Sequence, residues 1–306
     1  MDSQKINIKV RDNTFNHEPN FLKDTENIHF IRNCIKDSDG DVQINNGDIV
    51  LYTDNWFTKI HPDSKINIGL LIESPEVTPD SYDFISTNNK KFDLVLTHNK
   101  ELLDKGENFV LNLYGTSWLA DSFIQLWKKE KLCSIITSTK NFTSGHNLRH
   151  YITNNITENN LNVDLYGEGF IPLKCSETKA FDKNHTARHE SNEKIKGLKD
   201  YMFSIIIENT KKDYYFTEKL IDSFLTGAVP IYYGCPSIGN IFNTKGMIII
   251  DNVDDCLSAL KKINKNKYEH MLPYIKDNFE RAKKYKDFNI NEKSILKKVN
   301  IANNFS

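Results

Sequence analysis

The chain has 306 residues, and its 40 Lys and Arg side chains nearly balance 41 Asp and Glu, giving a formal net charge of −1. This balance excludes the broad positive surface that drives non-specific nucleic-acid binding. Hydrophobic residues make up 39% of the chain, which is enough to build packed cores in two domains of ordinary size.

The cysteines are scattered and form no C-x-x-C pair, so neither a zinc ribbon nor a disulfide framework is indicated. The N-terminal sequence MDSQKINIKVRDNTF is polar where a signal peptide has an apolar run. No apolar stretch approaches the roughly 18 residues of a membrane-spanning helix. We therefore expect a soluble, cytoplasmic protein without stable membrane insertion. The dispersed lysines after Lys283 leave peripheral contact with an anionic membrane as an alternative.

Short runs rich in β-branched and aromatic residues predict strands along the whole chain. Most of these runs are uniformly apolar, which is typical of strands buried on both faces of a parallel sheet. In chain order they are 5–10, 48–53, 66–72, 92–97, 108–113, 133–138, 162–167, 202–208, 228–233 and 247–251. Helical segments between many of them predict alternating α and β layers.

The boundary between two α/β halves is predicted from a connecting helix. The segment Ser117–Glu130 can be capped by its serine, and its basic end suits a helix C-terminus. We therefore predict an N-terminal domain over 1–130 and a C-terminal domain over 131–306, with terminal helices from Tyr268 onward. Ligands of such sheets bind at the carboxyl ends of the strands.

The densest polar pattern lies in the segment 201–243. A buried strand ends at Glu208–Asn209, and Thr217–Lys219 then opens an amphipathic helix that ends at Gly227. Free backbone N–H groups at a helix start favour an anion, and a lysine there can reach a phosphate. The neighbouring glutamate suits a sugar hydroxyl instead. An isolated T-E-K tripeptide is common, however, and by itself indicates only a solvated first turn.

This segment resembles the donor-binding motif of glycosyltransferase family 10, the α1,3-fucosyltransferases. The family pattern is a strand that ends in E-N or E-S, then D-Y-V-T-E-K, then a small residue and x-V-P-V/I-x-x-G. The matching parts here are Ile206–Asn209, Tyr215–Lys219 and Gly227–Gly234. Upstream, Ser134–Ile152 resembles the strand–loop–helix of the family that ends in a donor-contacting arginine, here Arg149.

Two departures from the family pattern lie beside the motif. Phe216 replaces the usual Val before T-E-K, and Tyr214 separates Asp213 from Tyr215. Because both changes lie next to the expected donor pocket, they bear on the donor sugar more than on the fold.

The resemblance implies a GT-B fold, in which two Rossmann-like domains with parallel sheets face each other across a cleft. It implies an inverting transfer of fucose from GDP-fucose to an oligosaccharide acceptor, as in the soluble bacterial and viral members. No metal or other cofactor is expected. The expected partners are the nucleotide sugar and the oligosaccharide, without nucleic acid. The sequence leaves the acceptor, the linkage and the oligomeric state open.

The resemblance also implies roles for individual residues. Lys219 and Arg149 would stabilise the departing diphosphate. Further residues expected at the donor are Tyr215, Glu218, Glu208, Asn209 and Thr217. Two additional candidates beside the donor are His146 and Gly167.

The acceptor hydroxyl needs a base, and a carboxylate is usual. Glu73 follows the predicted strand 66–72, and a comparable glutamate serves as base in the family. Glu76, three residues further along, is the alternative.

Other interpretations stay open at this stage. The same fold and mechanism could use a UDP- or dTDP-sugar, or the chain could be a degenerate, non-catalytic member that binds glycans. Two D-x-D patterns in Asp37–Asp41 and the pair His185 and His189 are candidate metal ligands by residue type. Neither has the strand or H-E-x-x-H context that such sites need, so we expect no metal.

Overall fold

A computed structural model describes residues 5–11, 23–32, 44–173 and 193–304. Asp37–Asp41 and the pair His185 and His189 lie outside these ranges. The chain divides into two compact units. The first unit is Met1–Tyr114 together with Phe288–Ser306, and the second unit is Gly115–Asp287.

The first unit contains a parallel sheet in the spatial order β2-β1-β3-β4-β5-β6. Its strands are β1 (Ile6–Arg11), β2 (Ile28–Arg32), β3 (Ile49–Thr53), β4 (Ile66–Leu70), β5 (Leu94–Thr97) and β6 (Phe109–Leu111).

The second unit contains a parallel sheet in the order β11-β10-β9-β7-β8. Its strands are β7 (Lys131–Thr137), β8 (Asp164–Gly167), β9 (Tyr201–Ile207), β10 (Val229–Tyr233) and β11 (Ile248–Ile249). Each predicted run overlaps one strand of the structure.

The α-helices of the described residues connect or cover these strands. They are α1 (Pro79–Asn88), α2 (Lys100–Leu103), α3 (Ser144–Glu158), α4 (Glu218–Thr226), α5 (Val253–Lys262), α6 (Lys265–Ala282) and α7 (Glu292–Asn304). The two parallel sheets with helices between their strands confirm the predicted α/β class.

Strand β2 was not predicted. Among the described strands it pairs with β1 alone, at the edge of the sheet, and its buried Ile28 and Phe30 alternate with the exposed His29. An edge strand can keep one face in solvent, so it needs no continuous apolar run. The sequence of β2 therefore lacks the uniformly apolar run that marks most of the other strands.

The segment Ser117–Glu130 is not the predicted helix; its only helical part is a short 3-10 turn at Asp121–Phe123. Several of its backbone N–H groups bond to other parts of the second unit, and none of the backbone bonds within the segment reaches a carbonyl four residues earlier. The N–H of Ser117 donates to Lys286 O at 2.9 Å, and that of Glu130 donates to Asp200 O at 2.9 Å. These tertiary bonds hold the segment extended.

Helix α7 belongs to the first unit, whereas the sequence prediction assigned the whole of 131–306 to the C-terminal domain. Its Ile295 and Val299 are fully buried in a cluster with Ile8, Leu51 and other residues of the first sheet. The apolar stripe of α7 thus covers one face of that sheet. The chain also crosses between the units at Tyr114 and Gly115, before the predicted boundary at 130.

Shortening a buried side chain of α7 tests this packing. Replacing Ile295 with Ala should lower the free energy of unfolding by about 2–5 kcal/mol, since it removes buried methyl groups and leaves a cavity. Lys297→Ala on the exposed side of the same helix is the matched control, with an expected change within about 0.5 kcal/mol. Equal, small effects of both substitutions in denaturant titrations would contradict the buried position of α7.

Candidate active site

The site is organised by a carboxylate at the carboxyl end of β9. Glu208 follows the fully buried β9 and is itself 0% exposed. Its carboxylate accepts hydrogen bonds from the Thr217 N–H at 2.9 Å and from the Thr217 hydroxyl at 2.7 Å. The carboxylate therefore ties the polar loop after β9 to the point where α4 begins.

Helix α4 starts and ends as the sequence predicted. The Thr217 hydroxyl caps its first turn by accepting from the Lys219 N–H, and Gly227 ends it with a left-handed φ of 75°. The Lys219 ammonium donates to Glu218 Oε1 at 3.0 Å and to Thr217 Oγ1 at 3.2 Å. An ammonium has three N–H donors, so one is left for a further acceptor.

Helix α3 reaches the same place from the end of β7. The Gly145 N–H donates to Asn209 O at 2.8 Å. A Cβ on Gly145 would lie only 1.8 Å from Glu208 O, so no larger residue fits between α3 and this turn. Further along α3, the Arg149 guanidinium donates to Asn209 Oδ1 at 2.7 Å. Within the described residues, the buried Nε of Arg149 has no hydrogen-bond partner.

The charges of the motif act strongly on one another. Burial alone would raise the pKa of Glu218, but the charges of Lys219 and Lys194 outweigh it and bring the pKa to about 2. Burial lowers the pKa of Lys219, yet the Glu218 and Glu208 carboxylates leave it above its ordinary value. Both members of the Glu218–Lys219 pair are therefore ionised near neutral pH.

At Glu208 and Arg149, the effect of burial on the pKa outweighs the effect of the neighbouring charges. Burial raises the pKa of Glu208 against the lowering effect of Lys219, and it lowers the pKa of Arg149 against the carboxylates nearby. Burial followed by the charges of Arg149 and Lys219 brings the pKa of His146 to about 4, so this imidazole is neutral at physiological pH. His146 Nδ1 lies 2.8 Å from Thr143 Oγ1.

A second buried ion pair lies behind α4. Lys194 donates to Asp222 Oδ2 at 2.6 Å, and the exposed fractions of the two side chains are 7% and 0%. Asp222 also accepts from the Ser117 hydroxyl at 2.5 Å, and the Lys194 ammonium stands 4.8 Å from the centre of the Trp118 ring. Sequence reasoning missed Lys194, because it follows a polar stretch without periodicity and nothing local marks it.

The two departures from the family pattern have clear structural positions. Phe216 is 1% exposed and packs edge-on against the rings of Phe242 and Tyr285, so its size fills the core. Tyr214 has a left-handed φ of 60°, which is uncommon for a residue other than glycine. Its N–H donates to Ser237 Oγ at 3.1 Å, which holds this turn in front of the buried Tyr215.

Gly167 ends β8 with a left-handed φ of 108°. A Cβ there would lie 1.9 Å from Thr137 O at the end of β7, so glycine allows the close approach of the two strand ends. In the structure, Gly167 therefore serves to let the backbones of β7 and β8 approach each other.

The predicted base lies in the first unit, at the carboxyl end of β4. Glu73 is half-buried and follows the strand by three residues, whereas Glu76 is exposed in the next turn. The donor-side candidates all belong to the second unit, and Glu73 and Glu76 belong to the first.

The described residues contain neither a metal-binding cluster nor a helix that could span a membrane. No group of three or more His, Cys, Asp or Glu side chains in this part of the chain is arranged to hold a metal ion. Among the same residues, no helix combines the length and apolar character needed to cross a membrane.

Comparison with known proteins identifies the family. Residues 126–293, more than half of the chain, match the family described as "Glycosyltransferase family 10 (fucosyltransferase) C-term". The chain therefore belongs to glycosyltransferase family 10, as its motifs predicted.

Individual relatives match over short segments. A 93-residue segment is 33% identical to the alpha-(1,3)-fucosyltransferase FucT of Helicobacter pylori, over 29% of this chain and 20% of that protein. A 106-residue segment is 29% identical to alpha-(1,3)-fucosyltransferase B of Drosophila melanogaster, over 34% of this chain and 23% of that protein. The matched segments thus span less than a quarter of either relative's own length.

Two solved structures are similar in fold to this protein over nearly the whole chain. A crystal structure of an α1,3-fucosyltransferase with GDP has a TM-score of 0.52 and 15% identity, over 92% of this chain and 88% of that one. A crystal structure of an α1,3-fucosyltransferase with GDP-fucose has a TM-score of 0.51 and 18% identity, over 92% of this chain and 89% of that one. At these identities the likeness establishes the fold, and the predicted GT-B class is confirmed.

Gly145 offers a test of how tightly α3 packs on the turn after β9. A glycine-to-alanine change within a helix ordinarily stabilises a protein, by up to about 1 kcal/mol. Here Gly145→Ala should instead destabilise it by about 1–3 kcal/mol, since the new Cβ collides with the Glu208 carbonyl.

Gly239→Ala is the control for this test, because a Cβ there meets only Thr244 Cγ2, at an ordinary 3.4 Å. Thermal or denaturant unfolding of both variants measures the difference. A stabilised Gly145→Ala protein would show that α3 does not approach the turn this closely.

Proposed function

We propose that this protein transfers fucose from GDP-fucose to an oligosaccharide acceptor with inversion at the anomeric carbon. Its membership of glycosyltransferase family 10 supports this proposal, as does a fold shared with an α1,3-fucosyltransferase whose structure holds GDP-fucose. The observation that carries the proposal is the convergence of two cations and two helix starts beyond β7 and β9.

This convergence suits a departing nucleoside diphosphate, whose negative charge grows in the transition state. The N-termini of α3 and α4 contribute backbone N–H groups and the positive ends of the helix dipoles. Lys219 has an N–H donor left for a phosphate oxygen, and Arg149 has a fork of donors of which Asn209 takes one. On this proposal, Lys219 and Arg149 together stabilise the leaving group.

The remaining motif residues are assigned to holding the donor or the loop around it. Glu218, ionised by its cationic neighbours, is suited to accept from a sugar hydroxyl of the donor. Tyr215 lies on the same loop and would contact the nucleotide sugar. Both carboxylate oxygens of Glu208 accept hydrogen bonds from Thr217, so we assign these two residues to positioning the start of α4.

Glu73 is proposed as the base that removes the proton from the acceptor hydroxyl. A half-buried carboxylate at the carboxyl end of a parallel strand is in the usual place for chemistry in an open α/β sheet. The exposed Glu76 follows in a turn that bonds back to Ser74, and is the second choice. The inverting step forms the bond from the acceptor oxygen to the sugar as the bond to the diphosphate breaks.

On this mechanism the two cations supply the charge that a divalent metal supplies elsewhere, so we propose that transfer needs no metal or other cofactor. The acceptor is proposed to be an oligosaccharide, in line with the family. The protein is proposed to act in the cytoplasm.

Ligand-induced thermal stabilisation tests the donor. We expect a shift with GDP and GDP-fucose that EDTA leaves intact, because a ligand at 100 times its dissociation constant contributes about 2.7 kcal/mol. UDP, CDP, dTDP and their sugars serve as matched controls. A shift with UDP- or dTDP-sugars alone would keep the mechanism and overturn the donor, and no shift with any nucleotide would favour a non-catalytic glycan-binding protein.

Substitution of the motif lysine tests the leaving-group role. Lys219→Ala should lower the turnover number by about a hundredfold or more, since one stabilising charge is lost in the transition state. Lys261→Ala on the exposed surface of α5 keeps the same change of net charge and should leave turnover unchanged. A folded Lys219→Ala protein with wild-type turnover would remove the assignment.

A further inference from the structure

The peptide of Glu73 is held by buried side chains from the neighbouring elements of the first unit. Three adjacent strands of the sheet, β3, β4 and β5, end side by side. Asp54 follows β3 directly, Glu73 lies just beyond β4, and His98 follows β5 directly. Tyr82 joins them from α1. None of the three holding side chains is more than 9% exposed.

Asp54 holds the amide side of the Glu73 peptide. Its Oδ1 accepts from the Ile72 N–H at 3.0 Å, and its Oδ2 accepts from the Glu73 N–H at 3.5 Å. The residue is 0% exposed and has a positive φ of 23°, outside the regions that side chains ordinarily allow. Such backbone strain persists only where the surroundings fix it.

Tyr82 and His98 hold the carbonyl side. The Tyr82 hydroxyl donates to Glu73 O at 2.7 Å, and His98 Nε2 lies 3.3 Å from the same oxygen. Because a carbonyl only accepts, the second contact requires the tautomer that carries its proton on Nε2. Burial lowers the pKa of His98 to about 4, so the ring is neutral at physiological pH.

We propose that Asp54, Tyr82 and His98 are positioning residues that clamp the Glu73 peptide and so fix the direction of its carboxylate. The proposal rests on the proposed role of Glu73 as base. None of the three residues touches the substrate or moves a proton; each acts through the backbone of Glu73. A displacement of about 1 Å at a reacting group can lower the rate about a hundredfold, which is why both peptide ends are worth holding.

The test uses Tyr82→Phe, which removes one hydroxyl and keeps the ring. We expect kcat to fall about tenfold while the KM for GDP-fucose, which binds in the second unit, stays within twofold. Tyr114→Phe is the matched control: its hydroxyl is also buried in the first unit and also donates to a backbone carbonyl, Leu96 O at 3.0 Å. This control should lose similar stability and keep its kcat.

Two further measurements separate positioning from general packing. In the Glu73→Gln background, Tyr82→Phe should have no added effect on the residual kcat, since the group it positions is gone. Hydrogen exchange of the amides of residues 72–74, read by mass spectrometry, should be faster in Tyr82→Phe and unchanged in Tyr114→Phe.

The outcomes distinguish the clamp from the base. A wild-type kcat in Tyr82→Phe, an equal loss in Tyr114→Phe, or the same fold loss with and without Glu73 would overturn the clamp alone. Glu73→Gln with wild-type turnover would overturn the base assignment, and the positioning role would fall with it. If Tyr82→Phe is poorly folded, Asp54→Asn serves instead, with the same expected split between kcat and KM.

Discussion

The hydrogen bonds between the buried Glu208 carboxylate and Thr217 are the constraint on which the proposed donor site depends. They fix the residue at which α4 begins, and hence the direction in which Lys219 leaves the helix. The carbonyls of the same Glu208–Asn209 turn lie against the first turn of α3, where Gly145 leaves room for them. One turn at the end of one buried strand therefore sets the positions of both helix starts, and through α3 also that of Arg149.

The charges around this turn are arranged in pairs of opposite sign. Lys219 pairs with Glu218, and Lys194 pairs with Asp222 behind them. Removing one partner of the fully buried Lys194–Asp222 pair should cost about 3–5 kcal/mol, because the other charge would stay buried without compensation. The two pairs also act on each other electrostatically, since the charge of Lys194 helps to lower the pKa of Glu218. If the proposed function holds, the Glu208–Thr217 hydrogen bonds preorganise the start of α4, which is the condition under which electrostatic stabilisation of a leaving group costs no reorganisation.

The sequence predicted those parts of the structure that have local signals. The cap at Thr217, the stop at Gly227 and the apolar run of β9 each depend on a few residues that are adjacent in the sequence. The motif around Lys219 likewise indicated the family. The extended course of Ser117–Glu130 could not be read in this way, because its backbone partners are as distant as Lys286. The same holds for Lys194 and for the residues that hold Glu73. The residues around Glu73 follow two separate strands or lie on a helix, and only the fold of the first sheet brings them together.

The return of α7 to the first unit has a consequence for how the chain folds during synthesis. The second unit is one continuous segment, Gly115–Asp287, so all of its strands are synthesised before α7. The first unit lacks Ile295 and Val299 until then, and its sheet carries an uncovered apolar face. The segment that is synthesised first is therefore the last to complete its core, and the interval is one in which exposed apolar surface invites aggregation.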